Sequence, residues 1–174
     1  MPSKDKQVLS FYKEYRSQFE QPGSLERFAE NLAEKKSYSA IFIPGGHGAM
    51  LGLPSNKDLT SVLKWADEKE LYTISICHGP AGLLAAGLGS DDFIYKGYKM
   101  AIFPDSVDKQ TPAIGYMPGH MPWMLGEKLK SLGVKIINQK ADKAVCIDRR
   151  LLTRASPSAA NELGKLAAST LLGD

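Results

Sequence analysis

The chain is poor in the residues that build metal and disulfide frameworks. It has two cysteines, Cys77 and Cys146, and three histidines, His47, His78 and His120. Two thiols cannot staple a small scaffold, and no histidine has a cysteine or carboxylate at the spacing of a metal-binding motif, so no internal metal site is expected. There is no apolar run long enough to span a membrane, and the opening segment MPSKDKQ is polar rather than signal-like. The expectation is a cytoplasmic protein with two free thiols. Charge of one sign is also lacking: 22 Lys and Arg face 19 Asp and Glu, a net charge of +3. No basic stripe is interleaved with aromatics, which argues against nucleic acid as a partner. The glycine loop lacks a Walker lysine and no G-x-G-x-x-G opens a helix, so no nucleotide cofactor is expected.

What is present suffices for one domain with a sizeable core: 174 residues, 43% of them hydrophobic. Helix and strand patterns alternate, the signature of a mainly parallel, doubly wound sheet between helices. Residues 1–36 read as a helical lead-in and 37–174 as the sheet-and-helix core. Helices are predicted over Lys4–Phe19, Leu25–Glu34, Asn56–Glu70, Gly79–Leu88, from Pro122 or Trp123 to Leu132, and Ser158–Leu172. Ser24 is a partial N-cap, and Ser156-Pro157 caps the last helix. Strands are predicted over Ser39–Pro44 (short and buried), Leu71–Ile76, Tyr98–Phe103, Val134–Asn138, Ala144–Ile147 and Arg150–Thr153. Pro104–Pro122 reads as a long irregular loop, too polar and proline-rich for a helix, and loops of that length are usually functional. A doubly wound sheet normally opens with a strand, whereas this chain opens with a polar segment and two helices. Either the sheet is unusually small or its first strands are missing, and the second is the expectation.

Three features point to chemistry. An apolar β-branched run, Tyr72-Thr-Ile-Ser-Ile, ends abruptly in Cys77-His78-Gly79-Pro80. That pattern is a strand–nucleophile–helix turn, and a cysteine opening a helix feels the positive end of its dipole, which favours thiolate. The amide of His78 can help to hold an oxyanion. The bland alternative is an inert buried cysteine. Gly45-Gly46-His47-Gly48 follows another strand, and glycines let backbone N–H groups approach a substrate oxygen. In a doubly wound sheet neighbouring strand ends share one crevice, which would bring Gly45 and Gly46 beside Cys77. His47 is equally readable as a contact residue or a solvent-facing loop residue. Asp105 and Asp108 follow Phe103-Pro104, and either could orient His78 as a base or simply form turns. His120 can line the pocket or be satisfied locally by backbone.

Ile43-Pro-Gly-Gly-His-Gly-Ala, Ile76-Cys-His-Gly-Pro-Ala and Phe103-Pro-Asp-Ser-Val-Asp-Lys-Gln-Thr-Pro, followed by Gly115-Tyr-Met-Pro-Gly-His, resemble a known family. It is the bacterial glutathione-independent glyoxalase III family, whose members are also described as heat-inducible holding chaperones and as protein and nucleotide deglycases. The family sits in the PfpI-like branch of the class I glutamine amidotransferase superfamily. The resemblance covers essentially the whole chain, and its Asp-Lys-Gln-Thr-Pro block is the narrowest motif. It implies a flavodoxin-like sandwich, a homodimer and a Cys77, His78, Asp108 triad, with Asp105 the second choice. Gly45, Gly46, His47 and His120 would surround the substrate. It implies conversion of 2-oxoaldehydes such as methylglyoxal to 2-hydroxy acids such as lactate, with no cofactor. Glycated groups and unfolded protein clients are further implied partners. The resemblance also implies an N-terminal portion with a glutamate near the cysteine and two of three metal ligands, none of which this chain matches. The third ligand, a histidine in the family, is matched here by Tyr15. Two alternatives stand beside this reading. One is a non-enzymatic holding chaperone using Met117, Met121, Trp123 and Met124; the other is a PfpI-type cysteine peptidase or amidase.

Overall fold

A computed structural model describes residues 5–35 and 37–173. The Lys4 start of the first predicted helix, and Lys36 at the foreseen junction, lie outside the described residues. Helix α1 (Lys6–Glu20) is capped by Asp5, whose carboxylate accepts from the N–H groups of Gln7 and Val8. It buries none of its residues, and Phe11 and Phe19 are more than half exposed. Helix α2 (Leu25–Glu30) starts at Ser24, whose hydroxyl accepts from Arg27 N–H, and tightens into a 3₁₀ turn at Leu32–Glu34. Its Leu25 packs on the main core, and Phe28 meets Trp65 edge-on.

The sheet is built from β1 (Ala40–Ile43), β2 (Tyr72–Ile76), β5 (Val145–Asp148) and β6 (Leu151–Arg154), in the order β1-β2-β6-β5. β1, β2 and β6 run parallel, and β5 returns antiparallel to β6 through a tight turn at Arg149 and Arg150. A separate parallel pair, β3 (Lys99–Met100) with β4 (Lys135–Ile136), lies beside it. The fold is thus α/β and flavodoxin-like, with one antiparallel edge.

Side chains alternate across this sheet as the strand period requires. Ile43 and Leu151 face the larger core with helices α3 (Lys57–Glu68) and α5 (Leu125–Ser131). Ile74, Ile76 and Leu152 face helix α6 (Ala160–Leu172) through its Leu163. The polar residues buried on the α3 side have partners in strands and loops. Ser75 Oγ donates to Ile43 O, and Thr153 Oγ1 accepts from Ala101 N–H. Burying these hydroxyls is tolerable because each is bonded.

Several expected elements are corrected. The predicted strand at Ser39–Pro44 is not buried throughout: it lies at the sheet edge, and Phe42 is 57% exposed. The helix after Cys77 is a 3₁₀ segment, Gly79–Gly87, buried from Gly79 to Ala86. Its small residues let it press on β1; a Cβ on Gly79 would collide with Ile43 O and Ser75 Oγ. The predicted strand at Tyr98–Phe103 is ladder-paired only at Lys99–Met100. Beyond them Ala101 N–H turns to the Thr153 hydroxyl and Ile102 N–H to the Asn138 side chain. The loop Pro104–Pro122 contains one helical turn, α4 (Asp105–Asp108). Proline at the N-cap position offers its carbonyl to the N–H groups of Val107 and Asp108, so a proline-rich context starts the turn rather than preventing it. Ser156 does not cap the last helix, because its hydroxyl donates to Asp142 O instead.

Candidate active site

Cys77 sits at the end of β2 with φ at 61°, a conformation that non-glycine residues rarely adopt. Its backbone is clamped on both sides: its N–H donates to Arg154 O at 2.8 Å, and its carbonyl accepts from Phe103 N–H at 3.0 Å. The strained turn lifts the thiol out of the ladder toward the Gly45-Gly46 turn. Gly45 is obligatory there, since a Cβ would lie 2.6 Å from Ile76 O and 2.7 Å from Cys77 Cβ. Gly46 adopts φ of 100°. The predicted meeting of the glycine loop and the cysteine turn is therefore observed, and the backbone N–H groups of Gly46 and His78 both favour the Cys77 thiolate.

His78 is 1% exposed, and its Nδ1 lies 3.3 Å from Cys77 Sγ. Its Nε2 lies 2.8 Å from Asp108 Oδ2. A carboxylate can only accept, so in the neutral ring the proton sits on Nε2 and leaves Nδ1 bare toward the thiol. Asp108 is itself buried, held by the α4 turn and by Thr111, whose hydroxyl donates to Asp108 O at 2.7 Å. Between the two candidate carboxylates the geometry is unambiguous. Asp105 accepts from the N–H groups of Gly126 and Glu127 and so caps the start of α5. Asp108 alone of the two reaches His78.

His47 is turned inward, a contact that sequence reasoning did not foresee. Its Nε2 lies 3.0 Å from Asp108 Oδ1, and its ring centroid lies 4.2 Å from that of His78. One carboxylate thus serves two imidazoles, one on each oxygen. Burial alone would push the Asp108 carboxyl up. The hydrogen bonds and charges of His78 and His47 outweigh it and hold the carboxyl below its usual range. Among the described residues His47, His78 and Asp108 are the one set whose potential metal-ligating atoms cluster, within 4.8 Å of one another. Motif spacing could not find this set, because the three come from separate segments. Both Nε2 atoms are already engaged by the carboxylate.

The expectation of a thiolate favoured by a helix dipole is corrected. Burial pushes the Cys77 thiol up, and the negative charge of Asp108 adds to it. The N–H groups of Gly46 and His78 oppose this but do not prevail. The short 3₁₀ segment that follows supplies no long dipole, and the cysteine is only 5% exposed. A thiol pushed up in this way depends on a neighbouring base to lose its proton.

A cavity of about 290 Å³ opens over Cys77 and His78, walled by Phe103, Val107, Ile114 and Tyr116. It shares His47 with a neighbouring groove of about 400 Å³, formed by Leu51 and the segment Met117–Pro122. The exposed His120 belongs to that groove rather than to the cavity. No helix among the described residues is long and apolar enough to cross a membrane.

Comparison with known proteins agrees with this architecture. Residues 21–105 match the DJ-1/PfpI family. The Protein/nucleic acid deglycase HchA of Escherichia coli O157:H7 is 48% identical over 172 residues, which cover 99% of this chain and 60% of the relative. The chain therefore spans about 60% of the length of that curated relative. Glyoxalase III from Candida albicans superposes with a TM-score of 0.62 at 19% identity, over 82% of this chain and 62% of that one. The Rapid Encystment Protein of Francisella tularensis gives 0.66 at 24% identity, over 80% and 62%. These two shared folds carry the same layered sheet, and the near-full-length identity to the deglycase carries the relationship. Residues 21–105 thus carry the DJ-1/PfpI match, and 99% of the chain is similar to the deglycase.

Proposed function

We propose that this site converts 2-oxoaldehydes such as methylglyoxal to 2-hydroxy acids without a cofactor, and releases early glycation adducts by the same chemistry. The observation that carries the reading is the bare His78 Nδ1 at 3.3 Å from Cys77 Sγ, with Nε2 anchored on Asp108. His78 takes the thiol proton as sulfur attacks the aldehyde carbon. The C–S bond forms, the carbonyl π pair moves to oxygen, and the proton returns to that oxygen to give a hemithioacetal. The N–H groups of Gly46 and His78 supply oxyanion donors, each worth ~3 kcal/mol in comparable sites. His78 then removes the C1 hydrogen, whose electron pair forms the C1–C2 double bond as the C2 carbonyl π pair moves to its oxygen, which takes the proton from His78 to give an enediol. Protonation at C2 and loss of the C1 hydroxyl proton give a 2-hydroxy thioester. Water cleaves this to the acid and regenerates the thiol. One carbon is oxidised as its neighbour is reduced, so the sequence balances with water alone.

The neighbouring groove supports entry of a carbonyl carried on a larger molecule, such as a glycated side chain. The test is methylglyoxal loss with lactate formation, for the chain and for Cys77→Ala. The variant should be inactive, and unchanged turnover would sink the proposal.

A further inference from the structure

We propose that His47 is a positioning residue that keeps Asp108 fixed and ionised, so that Asp108 can hold His78 with its bare nitrogen toward Cys77. The inference rests on the Cys77–His78 reading above but not on the identity of the substrate. A carboxylate with one bonded oxygen can rotate about its last torsion, or take up a proton on the free oxygen. Asp108 does neither freely, because Oδ2 meets His78 at 2.8 Å and Oδ1 meets His47 at 3.0 Å. Its side chain has no exposed surface, so water cannot replace a lost donor. His47 is held in turn by the Gly45-Gly46 turn that precedes it and by its contact with the His78 ring. With Nε2–H given to Asp108, its Nδ1 is the ring's remaining polar atom.

The titratable groups bonded to Asp108 are His78 and His47, and the Asp108 charge in turn acts on Cys77. Asp105 on the same turn is occupied with α5, and Lys109 pairs with Glu127 at the surface. Removing the His47 donor therefore leaves burial opposed by His78 alone. Asp108 then protonates at higher pH, and a protonated Asp108 no longer fixes the His78 tautomer.

The readout is the alkylation rate of Cys77 by iodoacetamide across pH, with the modified residue identified by mass spectrometry. His47→Phe keeps a ring against His78 but no donor. It should raise the acid-side midpoint of the profile by ~1–2 on the pH scale. At a fixed pH below that midpoint, each whole pH step by which the midpoint rises should slow the rate by about tenfold. His47→Gln places an amide N–H where Nε2–H was and should recover most of the loss. A thermal melt of each variant separates loss of fold from loss of positioning. An unmoved midpoint in a folded His47→Phe protein overturns the proposal, as does a His47→Gln profile that matches His47→Phe. A wild-type profile that does not change on His78→Gln overturns the His78 reading and this inference together.

Discussion

Asp108→Asn is the most discriminating single change, because asparagine keeps the shape and removes the symmetry. The carboxylate accepts one imidazole N–H on each oxygen, at 2.8 and 3.0 Å. An asparagine amide accepts on one side and donates on the other. Only one imidazole can then keep its Nε2 proton, and the other must move its proton to Nδ1. If that ring is His78, an N–H rather than a lone pair faces Cys77 and the base is lost. Charge-assisted bonds of ~1.5–3 kcal/mol each become neutral bonds of ~0.5–1.5 kcal/mol. The net loss is about 2–3 kcal/mol, or about 4–12 °C in Tm for a chain of this size. Turnover should fall by ~10²–10⁴-fold. The pH dependence has a definite sign. Asp108 is held below its unfolded value, so its stabilising contribution is present above ~3.9 and is lost as pH falls through the folded value. The stability gap between wild type and variant should therefore close below about pH 4. Denaturant melts at neutral and acid pH, run beside the methylglyoxal assay, measure both effects. A folded variant within threefold of wild-type kcat would refute the assignment of Asp108 as the tautomer-setting group.

Other outcomes follow from the same geometry. Because burial raises the Cys77 thiol, replacing His78 with Gln should leave its alkylation slow at neutral pH and recovering only in alkali, above the ordinary thiol range. Gly45→Ala places a Cβ 2.6 Å from Ile76 O and 2.7 Å from Cys77 Cβ, and should cost ~1–3 kcal/mol in a denaturant melt while displacing the nucleophile. Asp105→Asn weakens the cap on α5, because an amide can accept on only one side; it should lower Tm by a few degrees yet leave kcat nearly intact, separating the two aspartates by assay.

The sequence showed those parts of the site that are local. Cys77 and His78 are adjacent, the strand before them is apolar and β-branched, and the glycine turn follows its own strand, so the crevice could be inferred from strand ends. The residues alone could not choose between Asp105 and Asp108, because both lie on one helical turn, and it was the family resemblance that favoured Asp108. Only packing against α5 decides which carboxylate turns inward. The contact of His47 with Asp108 joins residues 61 apart, and no short motif encodes it. Phe42 sits in an apolar run that looks buried, yet burial depends on what covers the sheet edge rather than on the run itself. The thiol was misjudged because a helix dipole is readable from a motif, whereas desolvation depends on the whole surrounding core.

The adjacency of Cys77 and His78 has a mechanical consequence. The nucleophile and its base are separated by one peptide unit, and both flanking backbone groups of Cys77 are pinned to neighbouring segments. Displacing the backbone of that pair means breaking the hydrogen bonds that hold Cys77 to Arg154 and Phe103. Asp108 and His47, by contrast, arrive from separate segments and can move independently of it. The carboxylate's support is therefore the part of the site that depends on how separate segments pack.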